Sequence, residues 1–427
     1  MNRKQIKVAL AGTAGFGDTY LGVLLSQHER LGIDLVGLVD PAPHRCTRLE
    51  ELKRRELIIH PSIESLFATH SVDLMMIATP IHLHAPHTCF ALERGANVLC
   101  EKPLAGTLAD ALRMLRASQS SSGFAAIGYQ WSFSEPIQSL KRDVISGVLG
   151  RCIRMKALAF FPRPVTYFRR NGWAGRIHLD TGYGVLDSPV NNATAHYLHN
   201  MFYVLGRTRE TSAMPATVQA ELYRINEIDN YDTAAIRCKT DCGVELLFYT
   251  TLAALDRCGP RLQYEFENAI VEFNAGGSSE LVARFHDGTT KVYGNPDKDR
   301  TEKIAQCIDA VRTGAPVACD IPASISHTLC VVSAQHSVPS VTEFPVKMRE
   351  EVSLGDDVII CARGLPEALL DCYDRNILPA EDGQFGWSRE GKAVAVDHPE
   401  LSRPRARTFV DTANISSRPR VASKAPR

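Results

Sequence analysis

Apolar positions in the first 130 residues fall into two alternating textures. Short runs rich in leucine and β-branched residues, at 6–11, 35–40, 74–79, 97–100 and 124–129, alternate with stretches whose apolar side chains recur every three or four residues. That alternation predicts βαβ units and a parallel sheet with helices on its faces. Thr107 and Asp110 predict a capped helix start ahead of Leu112 and Leu115, and Ser134, Pro136 and Gly147 bracket a further helix. Past residue 150 the texture changes. Strand-like runs at 151–161, 217–223, 233–238, 244–251 and 269–273 follow one another with turns and no regular helix between them, which predicts a mostly antiparallel sheet. Helices over 193–205 and 302–312, the second closed by Gly314, are expected to cover one face of it.

The fold class expected is therefore α/β: an N-terminal Rossmann domain with a parallel sheet, then a C-terminal α/β domain with a large, mostly antiparallel open sheet. The expected boundaries are 1–130 for the dinucleotide-binding domain and 131–345 for the substrate domain. Residues 346–400 read as an irregular C-terminal extension. Residues 401–427, with Arg403, Arg405, Arg407, Arg418, Arg420, Lys424 and Arg427, read as a disordered basic tail.

Composition narrows the function. The 48 basic and 48 acidic side chains cancel, so the chain has no net field to draw in nucleic acid or anionic lipid, and a small-molecule partner fits better. No apolar run approaches the roughly 20 residues that span a bilayer. The start resembles a signal peptide in its basic residues, but Gly12 interrupts it after a short apolar stretch, and it reads better as a strand. Twelve cysteines without a CxxC pair suit buried thiols in a reducing cytoplasm.

The first strand runs into Gly12-Thr13-Ala14-Gly15-Phe16-Gly17 and then an amphipathic segment, which is the setting of a dinucleotide fingerprint. Gly12 permits the tight turn, Ala14 stands where a second glycine would let a pyrophosphate approach, and Gly17 lets helix pack on strand. The helix N-terminus offers free N–H groups and a positive dipole end to the phosphates. Asp40, 28 residues after Gly12, ends the second strand, where a carboxylate accepts ribose hydroxyls and repels a 2′-phosphate. That favours NAD; Arg45 leaves NADP open, and a helix cap or turn before Pro41 is the alternative role for Asp40. Thr79, Pro80 and His84 follow one strand, and Glu101 and Lys102 follow the next, at the carboxyl ends where ligands bind in open α/β sheets. His82, His84 and His87 have no accompanying carboxylate or thiol cluster, so they read as capping or cofactor-lining residues and no metal is expected.

These residues, with the TPxHLH stretch at 79–84, the Glu101-Lys102-Pro103 tripeptide, the GYQW run at 128–131 and the turn at 146–150, resemble the Gfo/Idh/MocA family of glucose-fructose oxidoreductase and inositol dehydrogenase relatives. The resemblance covers roughly the first 340 residues. It implies hydride transfer between a nicotinamide and a sugar or polyol carbon, a cofactor cleft that includes Gln130, and a homo-oligomer through the open C-terminal sheet. It implies Lys102 as the lysine beside the nicotinamide, hydrogen-bonding the reacting oxygen; a surface ion pair with Glu101 is its alternative. Counting back from Leu205-Gly206, it places the acid/base histidine at His196. A core helix histidine is the alternative there. On one helix Asn192, His196, His199 and Asn200 would share a face toward the cleft. The sequence departs from the family at Asn192, which stands where an aspartate is expected, and at Thr194, where a glycine is expected. An amide carries no proton, and Asp187 is close enough in sequence to substitute, though a turn or capping role suits it as well.

The segment 168–173 reads as a loop over the substrate, with Arg169 and Arg170 as a charge clamp and Trp173 as a stacking face for a sugar ring, or a recognition element for a sugar acid. An interface or solvated loop is the alternative. The expected activity is an NAD(P)-dependent oxidoreductase on a carbohydrate-like substrate. Two other outcomes remain open at this stage: a redox-neutral glycosidase with bound nicotinamide, and a cofactor-binding regulator that has lost catalysis, which Asn192 favours.

Overall fold

The computed structural model describes residues 5–274 and 278–397. The basic segment 401–427 lies outside the described residues. Six strands form the first sheet: β1 (Ile6–Ala11), β2 (Ile33–Val39), β3 (Ile59–His60), β4 (Leu74–Ile77), β5 (Asn97–Cys100) and β6 (Ala125–Ile127), ordered 3-2-1-4-5-6 and parallel throughout. β1 and β4 are buried along nearly their whole length because helices cover both faces, and β4 reads Leu-Met-Met-Ile without polar interruption. The order reverses between β1 and β4, so the crevice at their carboxyl ends is the binding position of this topology.

The helix Phe16–Leu31 buries Tyr20, Leu21, Leu24 and Leu25 against this sheet and ends at Gly32 in the left-handed region. Thr107 caps the helix Leu108–Ser120 by accepting from Asp110 N, as its sequence predicts. Gly147 at φ 77 closes the helix Glu135–Ser146.

The second sheet has ten strands: β7 (Cys152–Phe160), β8 (Pro215–Arg224), β9 (Thr233–Thr240), β10 (Glu245–Thr251), β11 (Cys258–Phe266), β12 (Ala269–Phe273), β13 (Leu281–Phe285), β14 (Thr290–Gly294), β15 (Thr342–Glu343) and, beside β8, β18 (Val394–Ala395). It is mixed: β7–β10 and β8–β15 pair in parallel and the other neighbours are antiparallel. The helices Ala195–Val204 and Ile321–Ser337 pack against it, and the latter also meets the helix Leu108–Ser120 of the first half.

Two expectations for the C-terminal part are corrected. Residues after 345 are not irregular. They form a hairpin, β16 (Arg349–Leu354) with β17 (Asp357–Ala362), followed by the helix Leu365–Arg375. That helix is amphipathic, burying Leu365, Ala368, Leu369, Cys372 and Tyr373. Nor is the face of the open sheet bare over its middle strands. Leu158 and Phe160 of β7, Tyr223 of β8, Ala235 of β9 and Leu247 and Tyr249 of β10 form one buried cluster with Leu365, Leu369, Tyr373 and Leu378 of the same chain. The face expected to join two copies is, over these strands, closed by the extension. Beyond it the outward positions are charged and paired, with Arg154 bridging Glu245 and Glu265, and Arg284 meeting Glu272.

Among the described residues no helix is long and apolar enough to cross a membrane, and all twelve cysteines are free thiols.

Candidate active site

The turn after β1 shows why its glycines are needed. Gly12 has φ +86, and a Cβ there would lie 2.5 Å from the Ala78 carbonyl oxygen at the end of β4, while a Cβ on Gly17 would overlap the Gly12 carbonyl. Gly15 precedes the helix Phe16–Leu31 and provides no side-chain cap, so the first helical N–H groups are left for an anion. Ala14 is half-buried and Phe16 exposed beside them. Thr13 is fully buried and donates from N (2.9 Å) and Oγ1 (2.7 Å) to Asp40 Oδ2. Its hydroxyl and backbone N–H together hold Asp40 at the end of β2. Asp40 Oδ1 accepts from Ala42 N at 2.9 Å, so the turn role weighed for Asp40 is real, and each carboxylate oxygen retains acceptor capacity at a half-buried position.

At the end of β4, Thr79 and Pro80 lie half-buried, and Thr79 Oγ1 is enclosed without a hydrogen-bond partner. An orphaned hydroxyl at the switch point of a doubly wound sheet, an uncapped helix N-terminus and an acid at the end of β2 together fit a dinucleotide. His84 does not line the cleft. Its ring is buried, with Nδ1 2.7 Å from the Pro103 carbonyl and Nε2 3.0 Å from that of Thr79, so it ties the loop after β4 to the loop after β5. Burial holds its pKa below the usual histidine range.

Glu101 also turns inward. Its Oε1 accepts from the Tyr20 hydroxyl and from Lys303, a fully buried lysine whose Nζ reaches the Gly128 carbonyl at 3.1 Å. Its Oε2 accepts from Lys102 N at 3.2 Å. The expected cofactor ligand is thus the counter-ion of a buried cation, and the ion pair weighed for Lys102 belongs to Lys303. Gln130 is likewise occupied, donating to Asp297 Oδ1 at 3.4 Å.

Lys102 projects from the end of β5 toward the second half of the chain. Its Nζ donates to the Asn192 carbonyl (2.6 Å) and to Asn192 Oδ1 (2.9 Å). Asn192 Nδ2 then donates to Asp187 Oδ1 at 2.8 Å. The amide orientation is chemically fixed, oxygen to the ammonium and nitrogen to the carboxylate. Asp187 is buried; its Oδ2 accepts from Gly175 N at 2.7 Å and lies 3.9 Å from Arg170 Nη2. Burial raises its carboxyl pKa, opposed by those hydrogen bonds and by Arg170 and Lys102. Asp187 therefore supplies the acid that position 192 lacks, one amide removed from the lysine. Desolvation, with the nearby cations Lys303 and Arg163 against Glu101 and Asp187, lowers the Lys102 ammonium from its usual range to about 8.

His196 lies one turn on, half-buried, on the helix Ala195–Val204. Burial first, and then the Lys102 charge, push its pKa well down. Its Nδ1 is enclosed without a partner, and among the described residues no carboxylate orients the ring. Asn192 is not on this helix. It sits in a π-helical turn, Pro189–Ala193, ended by Thr194, so the expected single helical face from 192 to 200 does not exist. His199 leaves the site altogether: fully buried, stacked on Tyr129 at 3.9 Å with Nε2 3.0 Å from Ser132 Oγ, it is a core residue. Asn200 is also core, donating to the Tyr264 hydroxyl at 2.8 Å.

The segment expected as a loop begins as a short helix, Val165–Arg169. Arg170 stacks over the Tyr167 ring at 3.7 Å and lies 5.0 Å from the centre of the half-buried Trp173 ring. Arg169 points to the opposite side, where with Arg349, Asp357 and Ile228 it lines a cavity of about 680 Å³ that none of Lys102, Asn192 or His196 borders. Sequence reading missed Arg163, Lys303 and Tyr20, whose positions become informative only once the two halves of the chain pack.

Residues 6–129 match the family model of the Gfo/Idh/MocA oxidoreductases, described as having an NAD-binding Rossmann fold. A dehydrogenase of Comamonas testosteroni named for 1-carboxy-3-chloro-3,4-dihydroxycyclohexa-1,5-diene is 30% identical over 189 residues, 44% of this chain and 45% of that protein. Inositol 2-dehydrogenase 1 of Saccharopolyspora erythraea is 25% identical over 250 residues, 55% of this chain and 71% of that protein. The match thus spans less than half the length of the first of these relatives. The crystal structure of the WlbA dehydrogenase from Bordetella pertussis, in complex with NADH and UDP-GlcNAcA, superposes with a TM-score of 0.63 at 18% identity, covering 78% of this chain and 98% of that one. At that identity the likeness shows a shared fold.

Proposed function

We propose, from the match of residues 6–129 to the Gfo/Idh/MocA oxidoreductase model, that the protein is a member of that family and an NAD-dependent dehydrogenase acting on a carbinol carbon of a sugar, polyol or sugar derivative. When bound, the nicotinamide supplies the hydride acceptor or donor. The chain's own residues handle the proton and the oxygen. Lys102 is the better proton carrier: with a pKa of about 8, about a tenth of it is the free amine at pH 7, enough to take a hydroxyl proton and return it in the reverse direction. Asn192 aims that amine, and Asp187 balances the charge of the ammonium once it forms. His196 is neutral at pH 7 and serves as a hydrogen-bond partner for a substrate hydroxyl. This shifts the proton from His196, where the family pattern puts it, to Lys102.

The observation that carries the reading is the chain Lys102, Asn192, Asp187 beside His196 at the carboxyl end of β5. Free cysteines throughout suit a cytoplasmic setting. Any association of copies has to use surfaces other than the strands covered by the extension. The test is NADH formation at 340 nm across neutral sugars, polyols and sugar acids. Lys102→Ala is expected to lower kcat by about 10²- to 10⁴-fold with NADH binding retained; a protein that binds NADH yet turns over nothing in the panel refutes it.

A further inference from the structure

The charges gathered at this cleft do not balance. Lys102, Arg163, Arg170, Arg300 and Lys303 act on the candidate residues or their immediate neighbours, against the carboxylates of Glu101, Asp187 and Asp297. Lys303 and Glu101 neutralise one another, Arg170 leans on Asp187 at 3.9 Å, and Arg300 lies 3.7 Å from Asp297. Lys102 Nζ meets no carboxylate directly, only the amide that relays Asp187, and Arg163 has no carboxylate partner among the described residues.

Arg163 follows β7, its backbone fixed by donation to the Leu252 carbonyl at 3.1 Å. Its guanidinium lies 4.9 Å from the centre of the Tyr167 ring, and Nη1 makes a long contact of 3.3 Å to the carbonyl of Pro162. Its Nε–H is enclosed without an acceptor. The residue is half-buried, and the Tyr167 ring that it faces also carries, at 3.7 Å, Arg170, the arginine 3.9 Å from Asp187. A half-buried guanidinium with a ring face and a carbonyl beside it but no carboxylate leaves its charge for a ligand anion to complete. The planar fork of arginine matches a carboxylate in particular.

We propose that the substrate carries a carboxylate, as a uronic or aldonic acid does, and that Arg163 is the residue that selects it. This deepens the dehydrogenase reading and rests on it for the identity of the cleft. A carboxylate at Arg163 also sets the reacting hydroxyl by two points, the acid at the arginine and the oxygen at Lys102. Neutral sugars lack the first.

The test uses the full chain loaded with NADH, with quenching of nicotinamide fluorescence as the binding signal and D-glucuronate, D-galacturonate, D-gluconate, D-glucose and D-glucose 6-phosphate as probes. At least one acid is expected to bind about 10- to 100-fold more tightly than D-glucose, Arg163→Gln to erase that advantage, and Arg163→Lys to keep part of it. Arg142→Gln, an exposed residue of the helix Glu135–Ser146 paired with Glu135, is expected to change nothing and controls for loss of a surface arginine, with NADH affinity as the second check. Equal affinity for acids and D-glucose, no binding of any acid, or an acid advantage that survives Arg163→Gln overturns the proposal. Tighter binding of the phosphate ester than of every acid overturns the choice of carboxylate. Acids that bind through Arg163 but yield no NADH from NAD⁺ count against the dehydrogenase reading and leave the anion site standing.

Discussion

Replacing Asp187 with Asn tests the assignment of the proton to Lys102. The two charges are separated by the width of one amide, since Asn192 bonds Nζ at 2.9 Å on one side and the carboxylate at 2.8 Å on the other. At roughly 7 Å and an effective dielectric constant of about 20, their attraction is about 2 kcal/mol, or about 1.5 pKa units at Lys102. Water at the half-buried lysine reduces this to about 1 unit. The sign follows from which form the carboxylate favours. Removing it disfavours the ammonium, so the pKa falls from about 8 toward about 7, and the free amine at pH 7 rises from about a tenth to about half. In the oxidation direction the acidic limb of kcat/KM therefore moves to lower pH. The assay is NADH formation against pH for both proteins. The amide introduced by Asp187→Asn has a single oxygen for two donors, Gly175 N and Asn192 Nδ2, so a loss of stability is expected as well; NADH affinity and the unfolding midpoint separate that loss from the shift of the limb. A limb that stays in place or moves to higher pH refutes the assignment.

Lys303→Met leaves the Glu101 carboxylate buried without its cation, an expected loss of about 3–5 kcal/mol in denaturant unfolding; a change under about 1 kcal/mol would show the pair to be solvated. Leu369→Ala removes a fully buried side chain from the contact between the extension and the sheet, with an expected cost of about 2–5 kcal/mol. An unchanged midpoint would mean that the extension does not pack on the sheet in solution.

The Rossmann half was legible because its signals are local. β1 and β5 begin and end where the apolar runs do, and Gly12, Gly17 and Asp40 occupy the positions that the turn and the switch point require. The extension was readable too: Leu365, Leu369, Cys372 and Tyr373 recur at helical spacing, a pattern passed over in a region already read as irregular. What local pattern could not supply was the assignment of polar side chains. Glu101 and His84 stand at strand ends where ligands bind, yet a lysine 202 residues away claims one, and the carbonyl oxygens of two loops claim the other. Asn192 does meet Lys102 Nζ, through both its carbonyl and its amide oxygen. The helical spacing used to group it with His199 and Asn200 failed because a π-helical turn precedes the helix and resets the faces.

The stretch from Arg163 to Asn192 holds the arginine proposed to select the substrate, the Trp173 ring, the buried Asp187 and the bridging amide of Asn192, and it contains little regular structure. Ordering such a segment costs on the order of 1–2 kcal/mol per residue, so it needs anchors on both sides. On the inner side Asp187 accepts from Gly175 N and from Asn192. On the outer side the hairpin of the extension holds it, through a bridge between Pro164 and Ile359 and through Asp357, which accepts from the hydroxyl and, at 3.4 Å, from the N–H of Thr166. Arg163 lies one residue from that bridge. The extension therefore does more than close the sheet: it fixes the segment from which the substrate is recognised, so changes in the hairpin should register as changes in substrate affinity before they register in the binding of NADH.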